Sequence, residues 1–133
     1  MDTTYLNYLT GPQLIGILFV VLGLVQKLLP PKTINNWYGY RTTLARSSQE
    51  MWKEGNKYSA DFMIRAGALV FFAGLMIKSI LLLLKVDAEV QKTAGYIILF
   101  GGAIGIGVLM TMVTEKHLRT YKPAPKKVTK KRK

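Results

Sequence analysis

Residues 93–113, TAGYIILFGGAIGIGVLMTMV, carry no charged side chain. An uncharged apolar run of this length reads as a membrane-spanning helix. A second apolar block runs from about Phe62 to Leu84 and contains Arg65 and Lys78. A third, from about Pro12 to Leu29, covers roughly 27 Å at ~1.5 Å per residue, just enough for a hydrocarbon core. Pro12 suits a first helical turn, and Pro30-Pro31 forbids continuation past Leu29. The pattern predicts an all-α membrane protein with three transmembrane helices, at about 12–29, 62–84 and 93–113. An amphipathic helix is expected in the cytoplasmic segment before the second span.

The totals agree with that class. In 133 residues, Lys and Arg number 19 against 7 acids, giving a net charge of +12. In a soluble protein such a balance would point to nucleic acid, but here charged stretches alternate with apolar blocks of spanning length. With 0 cysteines, disulfides, thiol catalysis and cysteine-ligated metal are excluded. The single histidine, His117, lies outside the apolar blocks, which argues against a metal site, and no cofactor is expected. The opening MDTTYLNYLT has Asp2 and no basic residue, so the first block is expected to remain in the mature protein rather than be removed as a signal peptide.

Basic residues set the expected orientation. Lys32, Arg41, Arg46, Lys53 and Lys57 lie between the first two spans. Lys116, Arg119, Lys122, Lys126, Lys127, Lys130, Lys131, Arg132 and Lys133 follow the third. The N-terminal segment has none, and the loop between the last two spans has only Lys85 and Lys92. The positive-inside bias places the N-terminus outside, with segment 30–61 and the C-terminus in the cytoplasm of a multi-pass cell-membrane protein. The spans and that segment form a domain over 1–114. Residues 115–133 read as a basic, disordered tail, whose partner is anionic lipid rather than nucleic acid, since no folded nucleic-acid reader is visible.

For packing, Gly101 and Gly105 make a GxxxG pair, and Ala103 and Gly107 repeat the small-residue spacing on an adjoining face. The third span is therefore expected to be the central packing surface, with a homo-oligomer face as the alternative.

Segment 30–61 is too long for a simple turn. Ser47 and Glu50 have capping-box spacing, and Met51, Gly55, Tyr58 and Phe62 then recur on one helical stripe. Glu50, Glu54, Lys57 and Asp61 form a charged stripe, and Trp52, Asn56, Ser59 and Met63 a third face. The helix either lies at the inner interface or runs directly into the second span. Asp61 and Arg65, one turn apart, are expected to pair, with Glu115 as another partner.

Residues 35–56, NNWYGYRTTLARSSQEMWKEGN, carry the densest polar and aromatic pattern: Asn36, Tyr38, Gly39, Tyr40, Arg41, Thr42, Ser48, Glu50, Trp52 and Asn56. This pattern resembles the signature of the SdpI/YfhL family of small bacterial membrane proteins, with Thr43 standing where family members often carry proline. The resemblance covers roughly residues 30 to 113. It implies a membrane immunity or sensor protein that binds a peptide or protein partner, such as a secreted toxin, and performs no chemistry.

From the residues themselves, two roles for the motif stay open, a binding site and a structural brace. Arg41 has the fork geometry for a lipid phosphate or a peptide carboxylate, and is also placed to pair with Glu50. A convergence of Asn36, Arg41, Trp52 and Asn56 with Glu50 in one polar cluster is expected. The competing functions are an inner-leaflet lipid-handling protein or enzyme, using Arg41, Glu50, Glu54 and Asp61, and a small transporter subunit, supported by Lys78 within a span.

Overall fold

The computed structural model describes residues 11–122. The described residues are all α: α1 (Pro12–Leu28), a 3-10 turn at Ala45–Ser47, α2 (Gln49–Leu83) and α3 (Ala88–Thr120). Helices α2 and α3 are long and apolar enough to cross a membrane, while α1 is shorter. Only 11% of the most apolar window of either long helix is buried within the protein, so the apolar side chains face outward rather than into a core. Leu69, Phe72, Ile97, Phe100 and Ile104 are among the side chains left exposed.

The segment predicted to be amphipathic and the second apolar block form one continuous helix, α2. Its cap is Ser48, one residue later than the sequence suggests: Ser48 Oγ accepts from the Met51 backbone N–H at 3.2 Å. At the far end, Lys85 adopts a left-handed φ of 50°. The Lys85 and Val86 amides return to the carbonyls of Leu82 and Leu81, both at 3.1 Å, satisfying the last carbonyls of α2. Asp87 then caps α3 by accepting from Glu89 N and Val90 N. Helix α3 runs seven residues beyond the predicted limit of 113, so residues 115–120 belong to the folded helix and not to the tail. Residues 123–133, with most of the basic tail, and the N-terminal segment 1–10 lie outside the described residues.

The principal packing is an antiparallel pairing of α1 with α2, not a surface centred on α3. Glycines let the two backbones touch. A Cβ added at Gly16 would sit 2.6 Å from the Gly67 carbonyl oxygen, and one at Gly67 would sit 2.7 Å from that of Gly16. Gly23 lies against Ala60 and Ile64, and Gly74 against Gln13. In lipid, where apolar side chains gain nothing by leaving the solvent, such close backbone approach is a main source of helix association. The expectation for α3 is corrected: among the described residues, Gly101, Gly105 and Gly107 have nothing within 4 Å of an added Cβ. Among the described residues these three glycines bring no helices together, while Ala103 is half-buried.

Candidate functional site: a braced motif at the foot of the helices

After Leu28 the chain leaves α1 through Pro30-Pro31 and returns to the first turns of α2. On the α2 face predicted to carry Trp52, Asn56 and Ser59, the first two side chains hold the returning segment and Ser59 meets α1. Trp52 is fully buried, and its indole N–H donates to the Pro31 carbonyl at 2.9 Å. Asn56, 2% exposed, is the hub. Its Oδ1 accepts from the Tyr40 backbone N–H at 2.6 Å, and its Nδ2 donates to the Trp52 carbonyl at 2.8 Å and the Tyr40 carbonyl at 3.4 Å. From α1, buried Gln26 donates through Nε2 to the Asn56 carbonyl at 2.8 Å and to Ser59 Oγ at 2.7 Å, and lies 3.3 Å from Asn56 Oδ1. One amide thus ties α1, α2 and the connecting segment together away from water, where leaving these groups unpaired would be costly.

Gly39 makes the hub possible. Its φ of 103° lies in the left-handed region, and a Cβ there would collide with Asn56 Oδ1. Gly55 makes a second notch, where an added Cβ would meet Leu118, Ala45 and Tyr40 at 3.2–3.3 Å. Tyr40, Ala45 and Leu118 form a small buried cluster there, flanked by Leu44, Met51 and Met110. The Tyr40 hydroxyl reaches α3, lying 3.2 Å from both the Thr111 carbonyl and a Glu115 carboxylate oxygen. The foot of α3 is also held by His117, whose Nε2 is 2.8 Å from Glu54 and whose ring stacks on Tyr58 at 4.0 Å.

Burial pushes the Tyr40 phenol up to about 12, and the nearby Glu115 carboxylate acts in the same direction. Below pH 10 the phenol is neutral in both folded and unfolded chains. Between 10 and 12 only the unfolded chain ionises readily, so the stability Tyr40 contributes is lost as pH rises through that window. Wild type should therefore lose more stability over that window than Tyr40→Phe in detergent unfolding series, and one phenol fewer should titrate near 12 in the variant. Superimposable alkaline profiles would contradict this.

Of the remaining motif residues, Asn36, Tyr38 and Arg41 are exposed, while Thr42, Ser48 and Glu50 are half-buried. Asn35 Oδ1 accepts from the Trp37 and Tyr38 amides, each at 2.9 Å, making a tight Asx turn. Arg41 donates to the Asn36 carbonyl, and Arg46 donates to Asn36 Oδ1 at 2.6 Å. Thr42 Oγ1 accepts from Ala45 N. The predicted five-residue cluster is thus two groups. Trp52 and Asn56 converge inside, while Asn36 and Arg41 meet outside, and Glu50 forms no ion pair with Arg41. Asp61 pairs with Lys27 of α1 at 2.7 Å rather than with Arg65. Gln26 and Gly55 were not read as part of the site, although a glutamine late in an apolar run is a visible signal of a polar partner.

The model of the SdpI/YfhL protein family matches residues 32–120, the stretch containing the braced segment, α2 and α3. The chain belongs to the SdpI/YfhL family. It is 38% identical over 104 residues to a protein of Bacillus subtilis (strain 168), uncharacterized protein YfhL, covering 78% of this chain and 82% of that one. No solved structure matches the chain. The SdpI/YfhL stretch begins just before the Asx turn and ends with the last turn of α3, so it takes in Tyr40, Trp52, Asn56 and Ser59 of the hub but not Gln26 of α1 or Pro31. SdpI/YfhL membership and the two outward-facing apolar helices together indicate a membrane protein.

Proposed function

We propose that the chain crosses the cell membrane three times, with its N-terminus outside and the braced motif and C-terminus in the cytoplasm, and acts by binding a peptide or protein partner. In keeping with its family resemblance, the role is immunity- or sensor-like, and no chemistry is assigned to the protein. One observation carries the reading. The hub ties the connecting segment from within at Pro31 and Tyr40, yet Trp37 between them stands 91% exposed, with Tyr38 and Arg41 also exposed beside it. Tryptophan, tyrosine and arginine are the residues that most often anchor protein interfaces, and a preformed loop loses little entropy on binding.

The test is to express the chain in a sensitive bacterium and challenge it with secreted peptide toxins. Trp37→Ala and Arg41→Ala should lose protection or partner capture, while the unfolding free energy changes by no more than about 0.5 kcal/mol, as expected of surface positions. Full activity in both variants would remove the outer surface from the mechanism.

A further inference from the structure

Bordering Gln26 and Asn56 of the hub, a cleft of about 480 Å³ opens between the end of α1 and the first turns of α2. Lys27, Lys32, Lys53 and Lys57 line it together with Pro30 and Pro31. Among the described residues only Lys27 has a carboxylate, that of Asp61; Lys32, Lys53 and Lys57 have none within ion-pair distance. Lys53 and Lys57 are one helical turn apart, a spacing at which like charges weaken a helix. A positive-inside bias explains basic residues near this end of the helices, but it does not require four of them to converge on one concavity. Concave walls of low polarity focus the summed field, and lysine serves as a point-charge ligand for phosphate oxygens.

We propose that this cleft binds a phosphate-bearing anion. Leu28 and Leu29, which lead directly into Pro30, are 75% and 69% exposed. An apolar shoulder beside a cationic cleft fits a phospholipid, with its phosphate among the lysines and its chains along the leucines, better than a free phosphate. The site is separate from the outward Trp37–Arg41 surface and does not depend on it.

The experiment uses the full chain purified in neutral detergent and titrated with phosphatidylglycerol, phosphatidylcholine or glycerol 3-phosphate, with bound ligand read by native mass spectrometry. Lys53→Gln/Lys57→Gln should weaken phosphatidylglycerol binding by about tenfold or more, from the usual contribution of a basic residue beside an anionic headgroup. Lys53→Arg/Lys57→Arg should retain it, and Lys116→Gln/Arg119→Gln, with the same charge loss outside the cleft, should leave it nearly unchanged. Glycerol 3-phosphate binding with the same lysine dependence, and displacing the lipid, would identify a soluble phosphate as the ligand and keep the site. Equal weakening by the cleft and control pairs, or equal affinity for the two lipids, overturns the proposal. Should the double variant lose helicity, Lys32→Gln, in the connecting segment, supplies the same comparison without touching a helix.

Discussion

Asn56→Ala should lower the unfolding free energy by about 3 kcal/mol or more, because it strands several buried polar groups at once. The Tyr40 amide and Gln26 both lose an acceptor, and the Trp52 and Tyr40 carbonyls lose a donor. Asn56→Asp tests the geometry more sharply. It keeps the acceptor facing Tyr40 N–H but turns the donor into a second oxygen facing two carbonyls, in a site only 2% exposed. Both variants should therefore be destabilised, and Asp should give no rescue. Tryptophan emission offers a readout, since Trp52 is fully buried and Trp37 is not. A melting profile unchanged in both variants would mean that the hub does not brace the fold.

The second large effect concerns the helix crossing. Gly67→Leu places its Cβ within 2.7–2.8 Å of backbone atoms of Gly16 and Val20, which no side-chain rotation can relieve. The helices must separate, at a cost of about 1–3 kcal/mol or more from overpacking, and the Gln26 bonds to Asn56 and Ser59 should loosen with them. Gly105→Leu meets open space and should leave the stability of one chain unchanged. If the face of α3 carrying Gly101 and Gly105 joins two chains, that variant will change oligomeric state instead, which sedimentation in detergent distinguishes. Equal losses at Gly67 and Gly105 would contradict the packing described here.

Helix class and the two longest apolar blocks were legible because their signal is compositional and local. The Pro30-Pro31 stop and the shared face of Trp52, Asn56 and Ser59 were legible for the same reason, through fixed φ and helical period. Packing was misread because GxxxG is a local spacing, whereas close approach needs a partner surface. Gly16 and Gly23 face Gly67, Ala60 and Ile64, and that correspondence is a property of two helices at once. The site was half legible for a related reason. Charge suggested that Arg41 would seek Glu50, but the Asx turn at Asn35 turns the loop so that Arg41 meets the Asn36 carbonyl. His117 looked like part of a disordered tail until Glu54 and Tyr58 supplied its contacts.

The hub also implies an order of assembly. Apart from bonds within one turn of α2, such as Asn56 to the Trp52 carbonyl, its hydrogen bonds join residues 16 to 33 positions apart, all within the part of the chain that ends with α2. The Tyr40 contacts to α3 span 71 and 75 positions. A ribosome making the chain from its N-terminus thus releases everything needed for the α1–α2 hairpin and its amide lock before the end of α3 exists. Short loops close first, so the last helix arrives at a surface already formed, with the Gly55 notch open to receive Leu118.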